Sequence, residues 1–573
     1  MKKNTHQRLW SRYRGIAAPY WCGEEKWHAR AYLALLAGLL LTQTGFAVLI
    51  NQESGEFMSA LAAGDSERFW AAVRMCVLWV CGAVPTYACY YLVRDRLGNH
   101  WRRWLTYRFL GRYFSHQKFY ELNAHISIDN PDQRIAEDIN TFTQKSLFFG
   151  LILMGSLIQL TAFSKVLWSI SHELVFFLVL YATLGTATTL LVFGKPLTLL
   201  NFRQLRREAD LRFGLIRVRE NAESIALYRG EEQEFQQIRR RFASVYENFG
   251  RLINRQFFLN LFQYGYSMLT LVLPSAIIAT HVLSGEMEVG RAVQAAGAFT
   301  AVLAAISLVV DNFESLTRFA AGVDRLDAFY QTLQAQPEHP KVETPAETVE
   351  GSTELRVDNL TVQTPAPVRP LLQRLTLAVE PGEGLLIVGP SGSGKSALLR
   401  TITGLWPSGG GRIQRPLPEQ MLFLPQQPYM LLGGSLRSQL LYPHSERQVA
   451  DMDLLGALEQ VNLPDLAERM GGLNAEHDWD RTLSVGEQQR LAFARLLLLA
   501  PRFAFLDEAT SALDLANEAR LYRALMATNT TPISVGHRAS ILKYHAWVLE
   551  IQGEGRWQLM AAQDYRFEEQ EPA

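Results

Sequence analysis

LLIVGPSGSGKSALLR, residues 385–400, is the stretch on which the fold of the C-terminal part of the chain turns. It holds Gly389 and, five positions on, Gly394-Lys395-Ser396, with Pro390, Ser391, Gly392 and Ser393 between them. The apolar run Leu385–Val388 reads as a strand and Ala397–Thr401 as a helix, the context in which this spacing forms a P-loop. Glycine lets the backbone curl so that amide N–H groups point inward at phosphate oxygens, and the new helix adds its positive end. Lys395 is then placed for the β- and γ-phosphates, and the Ser396 hydroxyl for Mg2+.

RFAFLDEATSALD, residues 502–514, supplies a second element of the same chemistry. Phe503–Leu506 reads as a buried strand that delivers Asp507 to the metal side of a nucleotide. Glu508 follows at once, and a carboxylate there can take a proton from an attacking water. His537, in PISVGHRAS, also follows an apolar strand. A lone histidine is more often structural; its place in this order of motifs points to the γ-phosphate and the water. Gln426, in LFLPQQPYM, is an amide at a strand end suited to the metal or the water.

Outward from these motifs the chain changes character. At 573 residues it exceeds one ordinary domain. Its 56 lysines and arginines balance 56 aspartates and glutamates, so nothing suggests nucleic acid as a partner. Cys22, Cys76, Cys81 and Cys89 fit neither a disulfide framework nor a zinc site. Spanning a bilayer takes about 20 mostly apolar residues. Six segments qualify: Ala31–Ile50, Phe69–Val93, Leu147–Ile170, Leu174–Phe193, Phe257–Val282 and the alanine-rich Ala292–Val310.

The loops 94–145 and 194–255 are rich in arginine and lysine, whereas 51–68, 171–173 and 281–291 hold almost none. Positive charge stays inside, which puts both termini and the two long loops in the cytoplasm. Residues 1–28 lack a cleavable signal and read as a cytoplasmic segment whose Trp, Tyr and basic residues suit the inner membrane surface. Arg74 and Lys165 lie near outer helix ends, where long side chains snorkel; Pro85 and Pro274 read as kinks. Asn130–Lys145 and Asn221–Ile238 carry helical patterning, so the spans are expected to run on into the cytosol. The expected organisation is an N-terminal segment 1–28, a six-helix all-α membrane domain 29–335, a proline-dotted linker 336–352 and an α/β P-loop NTPase domain 353–573.

The ordered set GPSGSGKS, LPQ, LSVGEQQR, FAFLDE, SALD and GH resembles the nucleotide-binding domain of ABC ATPases. The resemblance implies ATP and Mg2+ as cofactors. It makes Gly389–Ser396 the Walker A loop, Gln426 the Q-loop residue and Asp507 and Glu508 the Walker B aspartate and catalytic base. Ser511–Asp514 becomes the D-loop, so that Asp514 joins the site, and His537 the switch histidine. Ser484-Val485-Gly486-Glu487 becomes the signature, which in this family caps the γ-phosphate held by a partner's P-loop.

With one P-loop and one signature per chain, a complete site implies a second copy, by default a homodimer. Val485 and Glu487 depart from the family's commoner Gly and Gln, and LTVQTPAP offers Thr364 and Pro365 where an aromatic residue usually stacks on adenine. The longer pattern resembles subfamily D of the ABC transporters. AAPYWCGEEKW, NPDQRIAEDI and IALYRGEEQE resemble the BacA/SbmA-related bacterial transporters. These resemblances imply an exporter-type fold and a dimeric half-transporter in the bacterial inner membrane that takes up peptides or cobalamin-like small molecules. The alternatives are fatty acyl-CoA or other lipid-like cargo, export, and a membrane-tethered ABC ATPase that transports nothing.

Overall fold

The computed structural model describes residues 3–124, 131–334, 347–364, 369–406 and 409–567. The chain divides into two compact units, residues 1–335 and 336–573. In the first, α1 (Lys3–Cys22), α2 (Lys26–Ala63), α3 (Ser66–Phe114), α4 (Ile139–Ile170), α5 (His172–Thr188), α6 (Lys195–Glu220), α7 (Glu231–Leu283), α8 (Val289–Asp311) and α9 (Phe313–Gln334) are the main helices. Among the described residues, six helical stretches are long and apolar enough to cross a membrane. Five contain one of the expected segments whole, and the sixth, Val289–Leu308, overlaps all but the last two residues of Ala292–Val310. The helices α3 and α7, of 49 and 53 residues, run far beyond a bilayer's thickness, as the patterned loops required. Arg74 and Lys165 are both exposed, and Pro85 and Pro274 lie inside helices.

Close approach of these helices rests on residues without bulk. Where α2 meets α8, a Cβ on Gly290 would lie 1.9 Å from the Gly55 carbonyl oxygen, and one on Gly297 2.1 Å from Asn51 Oδ1. The gap is also used for hydrogen bonds: the Gly290 N–H donates to Ser59 Oγ at 3.0 Å, and Asn51 Nδ2 donates to the Gln294 carbonyl at 3.1 Å. Small residues at such crossings let van der Waals contact and polar pairing replace a hydrophobic driving force that lipid cannot provide.

The N-terminal helix, expected at the membrane surface, packs one face into its own unit. Tyr20 is fully buried, stacks on Trp101 with centroids 5.4 Å apart, and its hydroxyl pairs with His100 Nδ1 at 2.9 Å. The first long basic loop also turns inward where it is described. Asp138 is buried and accepts from Arg325 Nη2 at 2.8 Å.

The second unit holds a four-stranded sheet, order β1-β5-β2-β3, and a six-stranded sheet, order β10-β9-β4-β8-β7-β6. Its strands are β1 (Glu347–Glu350), β2 (Leu355–Gln363), β3 (Pro370–Val379), β4 (Leu385–Val388), β5 (Gly409–Arg415), β6 (Met421–Leu424), β7 (Phe503–Asp507), β8 (Thr531–Val535), β9 (Trp547–Gly553) and β10 (Arg556–Ala561). The end of the stretch expected to be linker is therefore β1, paired in parallel with β5. Charged side chains at Glu347 and Glu350 hid it, because an edge strand tolerates them. In the larger sheet β4, β6, β7, β8 and β9 are parallel, and every residue of β4, β7 and β8 is buried, the signature of a sheet covered on both faces.

A buried polar chain crosses this core. The Tyr522 hydroxyl donates to Ser534 Oγ at 3.0 Å, Ser534 Oγ lies 2.8 Å from His545 Nε2, and His545 Nδ1 lies 2.9 Å from the Ile541 carbonyl. This pattern fits a neutral ring that donates from Nδ1, and burial pushes the His545 imidazole down to about 4. The unfolded chain takes up this proton near 6.5, so the stabilisation is complete above that pH and is lost as pH falls toward 4.

Two outcomes follow from this packing. Thermal unfolding of the detergent-solubilised chain, followed from pH 6.5 down to 4, should show His545→Gln losing less stability than wild type, with a difference on the order of 3 kcal/mol. Gly290→Val should cost roughly 1–3 kcal/mol or more by overpacking. Its monodisperse peak in size-exclusion chromatography should shrink on mild heating, while Gly150→Ala, which meets nothing within 4 Å, behaves as wild type.

Candidate functional site

The parallel register carries each motif to the same edge of the six-stranded sheet. The P-loop follows β4, Gln426 follows β6, Glu508 follows β7 and His537 follows β8, all beyond carboxyl ends of strands. That edge is where open α/β sheets bind ligands.

The P-loop opens helix α10 (Lys395–Thr403). Gly389, Gly392 and Gly394 have φ of 143°, 77° and 107°, which other residues adopt only with strain. A Cβ at Gly389 would stand 2.2 Å from the Ile551 carbonyl oxygen. Inside the loop, Lys395 Nζ donates to the Gly389 and Pro390 carbonyls, each at 2.8 Å. Burial pushes its pKa down, against the pull of Glu508 and Asp507.

The Ser393 hydroxyl is buried and has no hydrogen-bond partner. An orphaned hydroxyl beside an ammonium, in a loop too tight for side chains, fits a phosphate chain. Ser396 Oγ donates to Asp507 Oδ1 at 2.9 Å, so two of the three expected magnesium ligands already face each other. Burial raises the Asp507 carboxyl, and the Ser396 hydrogen bond and Arg400 oppose it.

Glu508 is the point of convergence. Its φ of 49° is left-handed, an unusual conformation for a residue with a side chain, and turns the carboxylate out of the strand path. Gln426 Nε2 donates to Glu508 Oε2 at 3.0 Å, and His537 Nε2 lies 3.5 Å from Oε1. Gln426, expected among the metal ligands, is thus held by the neighbouring carboxylate.

The signature lies at the start of helix α11 (Val485–Leu499). Ser484 caps it, accepting from the Glu487 N–H at 3.3 Å, while Glu487 Oε2 accepts from the Ser484 N–H at 2.9 Å and from its hydroxyl at 3.0 Å. Ser484 and Glu487 thus form a reciprocal capping box. Desolvation would raise the Glu487 carboxyl, but hydrogen bonds from Arg469 and Ser484 outweigh it and hold the pKa low. Val485 is 51% exposed, and Gly486 packs beside Ala512 and Leu513. Asp514 caps helix α12 (Leu515–Met526), accepting from the Asn517 N–H at 2.7 Å. Among the described residues, no hydrogen bond or ion pair joins Ser484–Glu487 to Gly389–Ser396.

Two residues of α11 matter that the motif reading passed over. Gln489, buried, donates to the Gln426 carbonyl at 3.0 Å and to Ser511 Oγ at 3.2 Å, and accepts from the Ala512 N–H at 3.1 Å. Arg495, also buried, donates to the Gln439 and Tyr429 carbonyls at 2.6 and 2.7 Å; burial lowers it to about 10. Their spacing along VGEQQRLAFAR puts polar groups on the face that Leu491 and Ala492 bury, which is the signal a helical wheel would show. Thr364 closes its turn by donating from its N–H to the Arg369 carbonyl at 2.9 Å, while Pro365 lies outside the described residues.

Comparison with known proteins agrees with this architecture. The family model "ABC transporter transmembrane region 2" matches residues 18–283, and the model "ABC transporter" matches residues 372–511. An uncharacterized ABC transporter ATP-binding protein of Synechocystis is 45% identical over 551 residues, which cover 94% of this chain and 82% of that protein. The human lysosomal cobalamin transporter ABCD4 is 30% identical over 594 residues, 95% of this chain and 94% of that one. A bacterial Atm1-family ABC exporter solved with ATP bound shares the fold, with a TM-score of 0.74, 19% identity and coverage of 93% and 96%. A membrane region, an ATPase domain and full-length relatives place this chain in the ABC transporter family, as a half-transporter of the D type that couples ATP hydrolysis to transport.

Proposed function

We propose that two copies of the chain form the working transporter, with each ATP held between the P-loop of one copy and Ser484 and Gly486 of the other. The observation that carries this is the division of the phosphate-binding parts. One end of the unit has a phosphate cradle with Glu508, Gln426 and His537 beside it, while the signature helix start presents its N–H groups with no bond to that cradle. Within the cradle, Lys395 exchanges its two loop carbonyls for β- and γ-phosphate oxygens, and the Ser393 hydroxyl gains its missing partner. Ser396 and Asp507 would hold Mg2+, which supplies charge neutralisation at the phosphates. Glu508 takes the proton of the attacking water, with His537 and Gln426 fixing its carboxylate.

Nucleotide binding draws the two ATPase domains together, and hydrolysis releases them. The membrane domain reads this motion through the second cytosolic tip, the short helix Ala222–Tyr228, where Leu227 and Tyr228 are 76% and 87% exposed. The tip of the first patterned loop, near residues 129–138, is the second candidate for this contact; there Asp138 is tied to Arg325, and residues 129 and 130 lie outside the described residues. The six spans and basic loops support an inner-membrane location with both termini and the ATPase domain cytoplasmic. The cargo we propose is a hydrophilic or amphipathic compound such as a peptide or a cobalamin-like molecule, taken up; the cobalamin-transporting human relative supports it.

Glu508→Gln should retain ATP binding while hydrolysis falls by about 10²–10⁴-fold, measured as phosphate release in lipid nanodiscs. Undiminished turnover would overturn the role of Glu508. Lys395→Ala and Gly486→Asp should each abolish hydrolysis alone. Co-expressed and purified through two different affinity tags, the mixed pair should recover activity, because one of its two shared sites is then intact. Failure to recover would remove the shared-site geometry.

A further inference from the structure

Between α5, α7 and α8, inside the membrane-spanning segments, lies a cavity of about 420 Å³. That volume lies within the ordinary range of small-molecule sites, roughly 300–1,000 Å³. Its described lining carries no ionisable side chain except the phenols of Tyr264 and Tyr266, yet is crowded with neutral polar groups, among them Thr186, Asn260, Gln263, Ser267, Thr300 and Ser307. Polar side chains at this depth are costly to a membrane protein and point to a polar occupant or pathway.

Much of the wall is fixed. The Tyr266 ring stacks on Tyr181 at 4.2 Å, its hydroxyl donates to the Tyr181 carbonyl at 2.9 Å, and Tyr181 returns a hydrogen bond to the Tyr266 carbonyl at 2.6 Å. Gly185 is obligatory beneath it, since a Cβ there would stand 2.4 Å from the ring. Thr189 and Thr300 spend their protons on the carbonyls of Gly185 and Ala296, each at 2.9 Å, and keep only acceptor lone pairs for a ligand. Asn260 and Ser307 make no hydrogen bond within the described chain, so they offer both donors and acceptors. The π-helical turn Thr189–Gly194 begins at the cavity's edge, a distortion common at functional sites.

We infer that this cavity binds the transported molecule through an uncharged part rich in amides or hydroxyls, and rejects anionic or cationic groups. The inference rests on the transport reading and names its substrate class. A charged group placed here would meet no counter-charge in the described lining, whereas an amide finds both donors and acceptors.

The test is affinity selection by mass spectrometry on the full chain in nanodiscs. The probes are an equimolar library of N-acetylated tetrapeptide amides without ionisable side chains, and a matched library with one aspartate in each peptide. Neutral peptides should be retained by wild type, and retention should fall roughly tenfold in Asn260→Leu/Ser307→Ala, the loss of one or two hydrogen bonds. Thr183→Val, exposed on α5 outside the cavity, should retain them as wild type does. Retention of the acidic library as strong as the neutral one, no retention of neutral peptides, or retention unaffected by the double substitution would each overturn the inference. ATP hydrolysis by wild type in the same nanodiscs separates the two readings: if it is present while retention fails, only the cavity inference falls.

Discussion

Parallel pairing of β4, β8, β7 and β6 is the constraint on which the chemistry depends. Register aligns Leu385 with Ile533, Phe505 with Ile533 and Phe503 with Met421, so four strands end together. Four motifs scattered between residues 389 and 537 thereby reach one edge, although none is near another in sequence. Packing enforces this register, because a slip of one residue would drive Phe503 and Phe505 into the core that now takes Ala504 and Leu506.

Desolvation gives that edge its electrical character. Lys395 and Asp507 sit deep enough that burial opposes the charge on both, and each is steadied by a polar neighbour within the loop or the sheet. Such a site gains from a ligand that brings charge of both signs, as a nucleotide with its metal does. The signature is built differently. Glu487 is held ionised by Arg469 and Ser484, so the start of α11 is a rigid cap rather than a yielding loop.

The motif-bearing half was legible in the sequence because the P-loop, Glu508 and His537 each follow a fully buried strand, and a run such as FAFLD admits few other readings. The membrane helices were legible for an equally physical reason, since a bilayer demands an unbroken apolar length. What escaped notice lacks such a mark. Strand β1 is charged because it lies on an edge, and Gln489 and Arg495 carry only the weaker sign of a helix face shared with Leu491 and Ala492. The inward turn of Asp138 depends on Arg325, nearly two hundred residues away, and no local pattern announces a partner at that range.

Gln489 has a wider consequence. One amide clamps the backbone at Gln426 and the loop at Ser511–Ala512 to the body of α11. A displacement of α11 would therefore pull together on the backbone at Gln426, whose side chain holds Glu508, and on the loop at Ser511–Ala512. On the shared-site reading, a nucleotide capped by the start of α11 and the one beside Glu508 of the same copy would be linked through this single glutamine.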